Sequence, residues 1–200
     1  MTVARRFSQL DVFTSVPLLG NPLAGHPTLG SCHAWLSAGG KPKNPHVVVQ
    51  ECGIGLVRVR RDGDRLAFAA PPLRRSGPVE ADLRARVLGA LRIGDAAVRD
   101  MQWVENGPPW MGALLHDAQA VLDLRPDLPA LRGLAVGVVG PYPEGAACAP
   151  EKDAPCAFEV RAFTRAGVED PVTGSLNAGL ALWLIGAGIA PERYVASQGT

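Results

Sequence analysis

A helix with almost no polar face constrains this chain more than any other segment. Leu176-Asn177-Ala178-Gly179-Leu180-Ala181-Leu182-Trp183-Leu184-Ile185 carries a single polar side chain, and a helix apolar all round has to be buried. The spacing predicts a helix over about Ser175 to Ala187, roughly 20 Å long at 1.5 Å per residue. Directly ahead of it stands Val168-Glu169-Asp170-Pro171-Val172-Thr173-Gly174-Ser175, with two acids, a turn and two hydroxyls. The start of such a helix presents free amide N–H groups and a partial positive charge inside the protein, a ready site for an anion. Carboxylates held at such a point are candidates for proton chemistry.

The rest of the chain reads as strands around two such helices. Arg6 to Thr14 alternates as a strand and Gly20-Asn21-Pro22 is a turn. An apolar helix is expected over about Thr28 to Ala38, ended by Gly39-Gly40. His46 to Gln50, Gly55 to Arg61 and Arg65 to Ala70 read as strands, the last two joined by the Asp62-Gly63 hairpin turn. Pro71-Pro72 breaks the pattern and sets a boundary between residues 1–70 and 71–200. Pro78 to Leu91 is an amphipathic helix; Ala97 to Glu105 and Met111 to His116 are strands; Asp117 to Leu122 is a short helix. Leu134 to Val139 and Phe158 to Thr164 are strands, and Pro191 to Thr200 trails without an assigned element. The two apolar helices echo each other. Each has a small, polar start, and each carries a Trp-Leu pair, Trp35-Leu36 and Trp183-Leu184. A strand-rich half containing one buried helix is therefore expected twice, with the two helix starts meeting at a ligand site between the halves.

Bulk composition excludes several classes. With 47% apolar and 20% charged residues the chain is an ordinary globular protein. Its net charge of +1, with basic residues spread and densest only at Arg58, Arg60 and Arg61, offers no nucleic-acid face. No stretch approaches the roughly 18 apolar residues of a membrane span, and Met1 to Arg6 leads into no apolar signal region. The expectation is a cytoplasmic protein. Among the four cysteines there is no CxxC spacing, which argues against zinc. Cys32 and Cys52 are expected as reduced core residues, while Cys148 and Cys156 flank a Pro- and Ala-rich loop and are able to pair.

The residues able to carry chemistry cluster at the two helix starts. Asp170 is open to two readings, a group that orients or exchanges a proton with a ligand, or a capping carboxylate at a positive helix end. Thr173 and Ser175 share that ambiguity, since both are favoured N-caps. His26, between Gly25 and Pro27, is either a general acid near neutral pH or a structural histidine at a turn. His33 falls inside the apolar helix and is expected in the core. No Gly-rich phosphate loop and no HExxH motif occurs.

Taken in order, the strand Phe7 to Thr14 with Gly20-Asn21-Pro22, then Gly25-His26-Pro27-Thr28-Leu29-Gly30, Asn106-Gly107-Pro108 and Glu169-Asp170-Pro171-Val172-Thr173-Gly174-Ser175 resemble the PhzF-like family of phenazine biosynthesis. The resemblance implies the α+β diaminopimelate-epimerase fold: two similar domains, each a β-barrel-like sheet around a central buried helix, with residues 1–70 as a shortened first half and 71–200 as the second. It also implies a homodimer and cofactor-free, metal-free isomerisation of a small carboxylate-bearing substrate. In the best-known member a proton moves on the ring of trans-2,3-dihydro-3-hydroxyanthranilate. Carried over by motif, Asp170 and His26 are the catalytic polar residues, and Gly25, Gly174, Ser175 and Thr173 bind the substrate. The related epimerases use two cysteines at the helix starts; Gly25-His26 and Gly174-Ser175 stand there instead.

The chain departs from the family pattern in two places. Only Leu23-Ala24 separate the Gly-Asn-Pro turn from the Gly-His-Pro motif, where the family carries a long segment with its proton-transferring glutamate; Glu51 is the first glutamate of this sequence. The family pattern also runs on beyond Thr200 with further strands. The resemblance therefore implies a first half lacking strands and a catalyst lacking one general base, a loss of about 10²–10⁴ in rate.

Overall fold

A computed structural model describes residues 25–52, 55–63, 65–146 and 155–198. The expected strand at 6–14 and the Gly20-Asn21-Pro22 turn lie outside the described residues. The chain divides into two compact units, Met1–Ala69 and Ala70–Thr200.

In the first unit, helix α1 (Gly25–Ser37) packs on one face of an antiparallel sheet of β1 (Val47–Cys52), β2 (Gly55–Asp62) and β3 (Arg65–Phe68), in the order β1-β2-β3. The period-2 pattern sets the register: Val48 faces Val59 and Gln50 faces Val57, so this side of the ladder carries three valines and Gln50, whose Nε2 donates to Thr28 O at 3.2 Å. The core is small, with Cys32, Val48 and Val59 at its centre and Leu29, Leu36, Val57, Leu66 and Phe68 around them. Cys32 is a free, buried thiol; burial pushes its pKa up and nearby Arg61 opposes the rise. His33, expected in the core, is exposed and lies 3.4 Å from the Ser37 hydroxyl one turn on. The sheet covers only the Cys32 side of α1, which leaves the His33 side to solvent. The Trp-Leu echo also divides here: Trp35 is 43% exposed and folds back on Gly40. A side chain at position 40 would overlap the Trp35 indole, so a larger residue there would displace that exposed ring.

The second unit is built on one sheet of β4 (Arg75–Pro78), β5 (Val98–Glu105), β6 (Trp110–Leu115), β7 (Ala135–Pro141), β8 (Phe158–Phe163) and β10 (Ala196–Gln198), in the order β10-β8-β7-β6-β5-β4. A two-residue strand, β9 (Glu169–Asp170), also pairs with β8. Two connections are parallel. The one from β6 to β7 carries α3 (Ala118–Leu122), and the one from β8 to β10 carries α4 (Gly174–Gly186). They place a helix on each face, with α2 (Ala81–Leu91) joining the α3 side. A sheet covered on both faces buries both sides of its central strands, and β6, β7 and β8 are buried almost end to end, Glu159 and Arg161 of β8 included.

Two elements depart from the sequence reading. Arg75–Pro78 is an edge strand paired with Gln102–Glu105, so α2 begins only at Ala81. Proline is tolerated at such an edge. Ala196–Gln198 adds a parallel strand beside β8 in the segment read as a trailing one.

Helix α4 lies on the sheet through Leu176, Gly179, Leu180, Trp183 and Leu184. It is not buried all round: Leu182 is 39% exposed, because one sheet covers one side of a helix. The approach is close. Gly112 sits under Leu180 and Trp183, Gly137 sits under Leu176, and Gly179 faces the Val104 carbonyl. Gly179→Ala tests this contact. Alanine gains about 1 kcal/mol in helix propensity, but its Cβ would overlap the Val104 backbone oxygen and stand 3.2 Å from the Val104 Cβ. Overpacking dominates, and a net loss of about 1–2 kcal/mol is expected in urea unfolding. An unchanged or raised midpoint would show that α4 does not rest on Val104.

Candidate functional site

The hairpin β8–β9 delivers Asp170. Thr164 N donates to Val168 O at 2.9 Å and Gly167 N to Thr164 O at 2.9 Å, closing a turn in which Gly167 has φ +73°. That conformation favours glycine, and any side chain there would also meet the Leu128 carbonyl. The register then sets Asp170 opposite Ala162 and Glu169 opposite Phe163.

Glu169 is held by a two-pronged ion pair. Arg161 Nε donates to its Oε1 at 2.7 Å and Nη2 to its Oε2 at 2.8 Å. The remaining guanidinium nitrogen donates to the carbonyls of Val121 and Leu124 at the end of α3, at 3.2 and 2.9 Å. The hydrogen bonds to Glu169 outweigh burial and hold the Arg161 pKa above its ordinary value. Farther along the same face of β8, Glu159 is 2% exposed and its Oε2 accepts from the Tyr142 hydroxyl at 2.8 Å. Burial, reinforced by this contact, pushes Tyr142 from 10.0 up to about 12. The folded state therefore keeps the phenol proton where the unfolded chain releases it. The stabilisation is complete below pH 10 and is lost as pH rises toward about 12. Tyr142→Phe should lose less stability than the parent across that window, measured by denaturant midpoints; identical slopes would sink the assignment.

Asp170 leads into the start of α4. Its Oδ1 accepts from Val172 N at 3.3 Å and its Oδ2 from the Thr173 hydroxyl at 2.7 Å. Thr173 occupies the N-cap position, yet its side chain makes no cap bond; its hydroxyl donates to Asp170 and its oxygen faces the Gln198 carboxamide instead of the helix amides. Among the described residues, the side chains of Asp170, Thr173 and Ser175, the three expected to cap α4, bond elsewhere and not to its first-turn amides. Gly174 is exposed at that end, Ser175 and Asp170 are half-buried, and Thr173 is buried. Ser175 Oγ accepts from Trp110 Nε1 at 3.0 Å, which leaves its own proton available to donate. Asn106 Nδ2 donates to Ser175 O at 2.9 Å. Trp110 and Asn106 are both buried, and together they fix the helix start from β6 and the end of β5.

Sequence reasoning missed Gln198 and Asn177. Gln198 Nε2 donates to Asp170 O and to Thr173 Oγ1, at 2.9 and 3.0 Å. Gln198 Oε1 accepts from Thr173 N at 3.2 Å and from Asn177 Nδ2 at 2.6 Å. The lone polar residue of an apolar helix was the available signal for Asn177; none marked Gln198. Gly25 and His26 are the first two residues of α1, and the His26 side chain lies outside the described residues. Cys156 is disulfide-bonded, while Cys148 lies outside the described residues. Among the described residues, no group of three His, Cys, Asp or Glu side chains is placed to hold a metal ion, and no helix is long and apolar enough to cross a membrane.

Residues 12–198 match the PhzC-PhzF family, described as phenazine biosynthesis-like protein. The chain belongs to this family. Its fold is the diaminopimelate-epimerase-like α+β fold of PhzF proteins. The PhzF family phenazine biosynthesis protein of Enterococcus faecalis is similar with a TM-score of 0.60 at 19% identity, over 86% of this chain and 63% of that one. The PhzF family protein of Bacillus anthracis is similar with a TM-score of 0.60 at 14% identity, over 90% and 64%. A Schizosaccharomyces pombe protein called antisense-enhancing sequence 1 is 32% identical over 139 residues, 65% of this chain and 46% of that protein. The chain spans about half the length of this curated relative and about three-fifths that of the solved structures.

Proposed function

We propose that this chain binds a small carboxylate-bearing molecule, a cyclic amino or hydroxy acid, at the start of α4 and moves a proton on it without a cofactor, as a PhzF-type isomerase. The observation that carries this reading is the arrangement at residues 170–175: a half-buried carboxylate beside a helix start whose capping hydroxyl is turned away, with the Ser175 proton unclaimed. Amides of Gly174 and Ser175 and the Ser175 hydroxyl receive the ligand carboxylate. Asp170 exchanges the proton, and by motif His26 is a second catalytic residue and Gly25 a further backbone donor. Thr173 serves through Asp170. The working form is a homodimer.

A second reading follows from one observation, that no glutamate precedes Glu51. Without the family base the chain is a small-acid-binding protein that turns nothing over. One experiment separates the two. The full chain is titrated calorimetrically with anthranilate, then incubated with a dihydrohydroxyanthranilate in deuterated buffer. Binding with deuterium incorporation supports the isomerase, binding without it supports the second reading, and flat calorimetry without exchange removes both.

A further inference from the structure

We infer that Gln198 is a positioning residue: it commits the Thr173 hydroxyl proton to Asp170 and so holds the Asp170 carboxylate in the orientation used for proton exchange. The inference rests on the proposed role of Asp170. Gln198 sits on β10, a three-residue strand aligned in parallel with β8, its Cα opposite that of Val160. From there its carboxamide reaches both main-chain and side-chain atoms of the turn that carries Asp170.

The direction of every bond follows from valence. The Thr173 N–H can only donate and the Asp170 carbonyl can only accept, and Gln198 meets both, at 3.2 and 2.9 Å. These two main-chain groups set which end of the carboxamide is oxygen. A flipped amide would face N–H against N–H and oxygen against oxygen. With Nε2 fixed toward Thr173 Oγ1 at 3.0 Å, the hydroxyl accepts on that side and has one proton left. That proton points to Asp170 Oδ2 at 2.7 Å. Asn177 reinforces the same orientation, donating to Gln198 Oε1 at 2.6 Å and to Thr173 O at 3.1 Å. A donor chain thus runs Asn177, Gln198, Thr173, Asp170. Its terminal hydrogen bond is charge-assisted, the stronger kind, and it restricts the rotation of the carboxylate at the mouth of the helix.

The test uses the full chain with Gln198→Met, Gln198→Glu, Thr173→Val and the Gln198→Met/Thr173→Val double variant. Gln198→Glu keeps the shape but replaces the donor with an acceptor, so the Thr173 hydroxyl turns to it and leaves Asp170. The first readout is the carbon-13 resonance of the Asp170 carboxyl at neutral pH, which requires no turnover. Both Gln198 variants should shift it, and in the Thr173→Val background Gln198→Met should add clearly less than it does alone, because the shared hydroxyl is already gone and only the main-chain contacts of Gln198 remain to be lost. The second readout is deuterium exchange: kcat falls roughly 10- to 100-fold while KM stays within about twofold. A folded Gln198 variant with an unmoved Asp170 resonance, or additive effects in the double variant, overturns the inference. If Gln198→Met fails to fold, Gln198→Glu decides. Absence of exchange in the parent chain counts against the isomerase reading alone and leaves the carboxyl resonance to judge Gln198.

Discussion

Asp170→Asn is expected to lower deuterium exchange by about 10²–10⁴ while leaving carboxylate binding and the fold in place. The asparagine oxygen can take the Thr173 hydroxyl bond that Oδ2 now accepts at 2.7 Å. Its amide then faces Val172 N, so the structural loss is one long contact of 3.3 Å. A weak neutral bond contributes about 0.5–1 kcal/mol, a small part of the stability of a domain this size. The helix amides and the Ser175 hydroxyl are untouched, and removing a negative charge beside an anion site does not weaken it. The result should be a kcat effect with benzoate or anthranilate affinity equal to or above that of the parent, by calorimetry. A variant that loses affinity in step with rate would place Asp170 in binding instead of proton transfer.

Arg161→Met should cost about 3 kcal/mol or more in unfolding free energy, the largest stability effect expected in the second unit. The guanidinium side chain is 8% exposed and its three nitrogens hold Glu169 and two carbonyls at the end of α3. It is also the nearby positive charge for Glu159, whose Oε1 has no partner among the described residues. Removing it leaves several buried acceptors unmet at once. Glu169 retains 27% exposure and can recruit water, which keeps the loss toward the lower end of the range for broken buried pairs. Arg161→Lys preserves charge but not the fork, since an ammonium cannot span both carboxylate oxygens and the carbonyls together. It should fall between the two. Methionine at parent stability would show the network to be replaceable by apolar packing.

How much of this was legible in advance depended on sequence distance. Helix α4, the strands beneath it and the Asp-Gly hairpin are written in local patterns, and their observed bounds differ from the expected ones by a residue or two. Phe158-Glu159-Val160-Arg161-Ala162-Phe163 also held a readable warning: two charges on one face of a buried strand need partners. Their identity, Tyr142, Glu169 and the end of α3, depends on what the sheet brings alongside. Edge strand β4 and strand β10 were not legible, because neither carries an apolar alternation; each is a strand only because a longer neighbour offers it a ladder.

The sequence alone determined that an apolar helix lies against a sheet, that an acidic turn precedes it, and that the motif order is that of the PhzF family. Those features are local or carried by contiguous motifs. Only the tertiary structure decided what the turn does. Thr173 makes no capping bond and donates to Asp170, Trp110 and Asn106 fix Ser175 from 65 and 69 residues away, and Gln198 sets the orientation from 25 residues beyond Thr173. A hydroxyl has one proton to give, and only the groups packed around it in the folded chain settle where that proton points.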